Sequence, residues 1–178
     1  TIMQVESGVD SGPIIAQRRV PIGRRDTAGT LGTILAETGA ELLRETLECW
    51  LRGEIVPLSQ DKSQATVTKR LEKEDGEIEW RAPAADIERR IRAFTPWPGC
   101  YTKWRGATLG IIEADLPPAD ARASPTAGLS VGSVAPLRGG AAVMTGDGLL
   151  QIMQLQLAGR QKMTAREFVA GRRDFVGS

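Results

Sequence analysis

The 178 residues carry 23 Lys plus Arg against 22 Asp plus Glu, a net charge of +1, so overall charge argues neither for nor against a nucleic-acid partner. With 41% hydrophobic residues the chain can build a packed core, and with no histidine it lacks both the usual general base near neutral pH and the commonest zinc ligand. Cys49 and Cys100 stand alone without CxxC spacing and no apolar stretch reaches membrane length, which points to a cytoplasmic protein with reduced thiols, no metal site and no membrane anchor.

The first five residues are mostly β-branched or apolar, as though the chain started inside a strand. A turn-rich stretch, Ser7-Gly8-Val9-Asp10-Ser11-Gly12-Pro13, separates them from a second apolar run, 14–20, stopped by Pro21. Asp26 or Thr27 can cap a helix whose Leu31, Ile34 and Leu35 share a face, and Gly39 is expected to divide it from a second helix with Leu43, Leu47, Trp50 and Leu51. Both should lie on a sheet. Residues 53–79 change character, mixing Gly53, Pro57, Asp61 and a charged run around Lys69 to Asp75, and read as a linker.

Residues 86–94 form an amphipathic pattern, with Ile87, Ile91 and Phe94 on one face and i,i+4 pairs Asp86 with Arg90 and Glu88 with Arg92 on the other. Thr95-Pro96-Trp97-Pro98-Gly99 ends it. Short apolar runs at 101–104, 108–114, 132–134, 141–144 and 149–157 then alternate with Gly, Pro and Asp, a spacing that predicts a small antiparallel barrel, while the Pro- and Ala-rich stretch 117–128 reads as a loop. At the end, Thr164 and Glu167 make a capping box, Met163 and Phe168 occupy the positions of a hydrophobic staple, and Gly171 can stop the helix.

Taken alone, Gly8-Val9-Asp10-Ser11-Gly12 is a tight turn between strands. It also resembles the folate-binding loop of the formyltransferase family, in which the aspartate of Gly-Val-Asp-x-Gly is catalytic. The string Ile91-Arg92-Ala93-Phe94-Thr95-Pro96-Trp97-Pro98-Gly99 is similar to the start of the C-terminal domain of methionyl-tRNA formyltransferases. A third stretch, Leu155 to Met163 with Gly159-Arg160-Gln161-Lys162-Met163, then Phe168 and Gly171-Arg172-Arg173, looks like the C-terminal signature of the same enzymes.

The resemblance implies an α/β fragment, the end of a Rossmann-like formyltransferase domain, over residues 1–52. A linker over 53–79 and a small β-barrel, OB-like C-terminal domain with peripheral helices over 80–178 would follow. It further implies transfer of a formyl group from 10-formyltetrahydrofolate to the amino group of methionine on initiator tRNA, with folate and tRNA as partners and no DNA. Asp10 matches the catalytic aspartate, and Glu6, Ser7, Gly8, Val9 and Asp10 would hold the folate mainly through backbone groups. The asparagine and histidine that complete the family's site would lie upstream of Thr1, so the isolated chain is expected to be inactive.

For tRNA the best candidates are Arg160, Lys162, Arg172 and Arg173, in a terminal segment where Arg166 adds a further cation and only Glu167 and Asp174 oppose them. Lys69, Arg70 and Lys73 come next. Arg89, Arg90 and Arg92 read either as a solvated helix face with internal ion pairs or as RNA contacts, and Trp80, Trp97 and Trp104 as core. Two further readings stay open: a nucleotide-sugar formyltransferase, which would keep Asp10 but have no use for the basic terminus, and a non-catalytic, OB-like RNA-binding module.

Overall fold

Apolar residues on either side of the first turn-rich stretch pair as a short antiparallel ladder, Ile2–Met3 (β1) with Ile14–Ala16 (β2), Ile2 opposite Ala16 and Met3 opposite Ile14. Both strands are shorter than the apolar runs that contain them. The computed structural model describes residues 1–118, 128–137 and 140–178, and these divide into two compact units, 1–70 and 71–178.

In the first unit Thr27 caps a helix, and the capping is reciprocal: its hydroxyl accepts from the Thr30 N–H, while the Thr30 hydroxyl accepts from the Thr27 N–H at 2.9 Å. That helix, Ala28–Leu51 (α1), is one continuous element of 24 residues, not the expected two. Gly39 costs an α-helix interior only about 1 kcal/mol, and neither proline nor a left-handed glycine interrupts the run, so the apolar repeat on both sides carries through it. Leu42 is buried on this helix, whereas Leu43, Leu47 and Leu51 are exposed, Leu51 to 75%. Residues beyond α1 return to the ladder: Leu58 exchanges both backbone hydrogen bonds with Ile14, each 2.8 Å, and Asp61 caps the 3-10 turn Lys62–Gln64.

The second unit is built on an antiparallel sheet of Cys100–Trp104 (β3), Ala107–Asp115 (β4), Val134–Leu137 (β5), Gly140–Met144 (β6), Leu149–Leu157 (β7) and Met163–Thr164 (β8). The order is β3-β4-β7-β6-β5, with β8 on β7. Along β4 the buried positions are Leu109 and Ile111, then Ala114. A register irregularity at residues 111–114 explains the change of parity, because an inserted residue moves every later side chain to the other face.

The barrel predicted from strand spacing does not close: among the described residues no pairing joins β3 to β5. Spacing fixes strands and hairpins, but closure requires the two outer edges to bond each other, and here each edge has another cover. Ile78 N–H donates to the Tyr101 carbonyl on β3. On β5, Val134 N–H donates to the Ser178 carbonyl and Gly177 N–H to the Val134 carbonyl. Most of the loop expected at 117–128 lies outside the described residues.

Among the described residues two helices pack on this sheet. Ala84–Ala93 (α2) buries Ala84, Ile87 and Ile91, and its N-terminal amide Ala84 N–H is satisfied from afar by the Asp147 carbonyl in the β6–β7 turn. Glu88 pairs with Arg92 at 2.6 Å as the spacing predicts. Asp86 pairs instead with Arg89, because Arg90 reaches the Asp75 carbonyl and lies over the Phe94 ring. Ala165–Gly171 (α3) starts at the expected box, Thr164 accepting from Glu167 N–H and the Glu167 carboxylate accepting from Thr164 N–H at 2.8 Å. No helix among the described residues is long and apolar enough to cross a membrane.

Candidate functional site

The loop from Glu6 to Ser11 leaves β1 and turns back into β2 with all of its residues exposed. Its tightness has two local causes. The Ser11 hydroxyl donates to the Gly8 carbonyl at 3.1 Å, and Gly12 is buried so close to the first strand that a Cβ there would overlap the Gln4 carbonyl oxygen. Asp10 takes up the sharpest bend, at φ 52, a left-handed conformation that non-glycine residues adopt at a cost and that Asp tolerates better than most.

Among the described residues the Asp10 carboxylate makes no hydrogen bond, so its charge is available to an incoming group. It borders two hollows in the same unit. One, of 250 Å³, is walled by residues 3–11, and the other, of 470 Å³, lies between the loop and residues 58–65. All five residues expected to face folate, Glu6 to Asp10, line the first hollow. The second wall was not legible as part of a site: Gln60, in a stretch read as linker, donates from its side-chain amide to the Asp10 carbonyl at 2.8 Å and the Gly12 carbonyl at 2.7 Å. A lone glutamine among polar residues gives no pattern by which sequence reasoning could find it.

The cationic candidates separate by environment. Arg160 and Lys162 are exposed on the turn between β7 and β8, whose backbone is held where Gln156 donates to the Arg160 carbonyl at 2.8 Å. Arg173 is exposed after α3. Arg172 is half-buried instead, its guanidinium over both the Trp104 and Phe168 rings at 5.6 Å, so it serves packing as well as charge. Lys69 and Arg70 are exposed at the end of the first unit, and Lys73 is exposed in the 3-10 turn Lys73–Gly76 of the second.

Arg105 was not singled out by the sequence. It lies over Trp104 at 5.4 Å and pairs with Asp174 at 2.6 Å. Trp104 itself is core, edge-on to Phe168 and Phe175, and its indole N–H is buried with no hydrogen-bond partner among the described residues. It borders a 340 Å³ cleft with Trp80, Thr102, Gly132, Phe175 and Ser178. Trp97 departs from its expected place: it is 58% exposed, in the loop after α2 where a proline flanks it on each side. No group of three or more acidic or Cys side chains that could hold a metal occurs among the described residues.

Residues 70–173 match the family described as formyl transferase, C-terminal domain. A methionyl-tRNA formyltransferase of Chloroflexus aggregans is 46% identical over 171 residues, 96% of this chain and 54% of that protein. The protein of that name from a Roseiflexus species is 43% identical over 97% of this chain and 52% of its own length. The chain thus spans about half the length of the curated relatives it matches. Among solved structures, HypX from Aquifex aeolicus in complex with tetrahydrofolic acid superposes with a TM-score of 0.67 at 20% identity, over 98% of this chain and 30% of that one, a likeness of fold.

Proposed function

Since the chain belongs to the formyl transferase family and carries its C-terminal domain in residues 70–173, we propose that it serves formyl transfer from 10-formyltetrahydrofolate to the amino group of methionyl-initiator tRNA. Residues 1–70 would supply Asp10 and the folate-facing loop, and residues 71–178 would hold the tRNA. The observation that carries this reading is identity running through both units to relatives named for that reaction. In this reading the protein works in the cytoplasm, where initiator tRNA is charged and used.

Formyl transfer to an amine passes through a tetrahedral intermediate, so the site must stabilise an oxyanion and take a proton from the attacking nitrogen. One exposed carboxylate does not do both. Asp10, on a loop held from two sides, is suited to orienting and electrostatically supporting a neighbouring base or an ordered water. With no histidine among the 178 residues, the imidazole of the family's site has to come from outside them, and in this reading the isolated chain binds tRNA without formylating it.

Binding is the test open to the chain itself. Retention of initiator tRNA is measured across a salt series with an elongator tRNA as competitor, for the parent and for Arg160→Ala, Lys162→Ala and Arg173→Ala. Phosphate contacts predict that each substitution weakens binding and lowers the salt slope by about 1. Arg172 is a poor probe, because its removal also uncovers Trp104 and Phe168. A folded chain that does not retain tRNA at low salt would refute the tRNA assignment and favour a nucleotide-sugar acceptor.

A further inference from the structure

Gln60 is the point at which the segment after α1 takes hold of the Asp10 loop. A side-chain amide carries two N–H groups, and here the nitrogen lies 2.8 Å from the Asp10 carbonyl and 2.7 Å from that of Gly12, with the Met3 sulfur at 3.9 Å. The two carbonyls bracket Ser11, so one planar group fixes the backbone on both sides of it. Gln60 is itself delivered at a set height, because Leu58, two residues earlier, is locked to Ile14 by a reciprocal pair of backbone hydrogen bonds. The feature so held is the left-handed bend at Asp10, a conformation that costs a non-glycine residue energy which contacts around it must offset. Asp10 and Gln60 also line one hollow, of 470 Å³.

We infer that Gln60 is a positioning residue for formyl transfer: through its amide it holds the Asp10 loop in the conformation that presents the carboxylate to the reacting groups. The inference rests on the reading of Asp10 as the catalytic aspartate, and it adds a role for a side chain that reaches the loop through its backbone carbonyls. Chemistry rather than bulk is what it requires. Methionine matches glutamine in length and lacks its donors, and glutamate replaces the donors with oxygens that face two carbonyl oxygens. Lysine restores a donor of sufficient reach.

Two measurements test it. In the 178-residue chain, amide hydrogen exchange at Gln4 and Ile14, which are bonded to the Pro13 and Leu58 carbonyls, should quicken about tenfold in Gln60→Met, the effect of losing one or two hydrogen bonds nearby. Formylation is then followed in a hybrid in which these residues replace the matching half of the Chloroflexus aggregans enzyme. Gln60→Met should lower kcat about tenfold with KM for tRNA unchanged, Gln60→Glu should lower it further, and Gln60→Lys should recover most of it. Exchange unaltered in Gln60→Met, or a Met variant as fast as the parent, would overturn the inference. Asp10→Asn in the same hybrid separates the two ideas, since full activity there refutes the assignment of Asp10 itself.

Discussion

Replacing Phe175 with alanine should loosen the C-terminal unit at one identifiable joint. Phe175 is 2% exposed and meets Trp104 at 5.5 Å and Phe168 at 5.0 Å, both edge-on. Deleting a buried phenylalanine side chain costs roughly 3–5 kcal/mol, of which two aromatic pairs account for about 0.5–1.5 kcal/mol each. The lower end applies, because Phe175 also borders the 340 Å³ cleft, into which its neighbours can relax. About 3 kcal/mol is a large share of the 5–15 kcal/mol that holds a typical domain. With a urea slope near 2 kcal/mol/M, the unfolding midpoint should fall by about 1.5 M at unchanged slope. Tryptophan fluorescence in a Trp50→Phe background reads the second unit alone, through Trp80, Trp97 and Trp104. A shift below about 0.3 M, which is roughly 0.6 kcal/mol at that slope, would refute the claim that the three rings form one packed joint.

Other expected outcomes follow from single contacts. Gly146→Ala would drive a Cβ into the Arg81 carbonyl oxygen and disturb the Gly146 N–H bond to the Trp80 carbonyl, so thermal unfolding should reveal a loss of about 2–3 kcal/mol; Gly171→Ala, with open space around its Cβ, should be neutral or slightly stabilising. Asp10→Asn in the hybrid enzyme should reduce formyl transfer by about 10²–10⁴-fold while leaving its unfolding curve in place, as gel-based formylation assays and denaturation would show. Burial pushes the Cys100 thiol up to about 11, so at pH 8 a chromogenic disulfide should titrate the half-buried Cys49 readily and Cys100 only after unfolding. The sign for stability follows from the same shift. The buried thiol favours the folded state in full below the unfolded pKa of 9.0, and that contribution is lost as pH rises through about 11, a decline that Cys100→Ala should remove.

Local signals in this sequence were legible where the chemistry that sets them is local. The Thr164 and Glu167 box, the apolar run that becomes β7 and the Ile87 and Ile91 face of α2 are each decided within a few residues. Gly39 misled because a helix break needs a backbone that leaves the α region, and apolar residues on both sides kept it there. The barrel misled for a different reason: whether β3 bonds β5 depends on what else reaches those edges, and the competing groups come from Ile78 at one end and Gly177 and Ser178 at the other. Within the candidate site, the Asp10 loop stood out through its run of turn residues, and Gln60 did not, because its partners are backbone carbonyls about fifty positions away. Trp97 was assigned to the core on its type, yet it is exposed in a loop with a proline on each side.

The covers on the two sheet edges are acquired at different times when the chain is made from its N-terminus. Ile78 precedes β3 and is waiting when that strand emerges, so the first edge is protected from birth. Val134 has no such guardian: β6 and β7 can pair beside β5 as soon as residue 157 is available, but the outer side of β5 stays open until Gly177 and Ser178 arrive twenty residues later. During that interval a growing molecule offers a bare strand to any neighbour on the same messenger, the situation in which nascent chains join edge to edge. Slow decoding between β7 and Gly177 would lengthen the exposure.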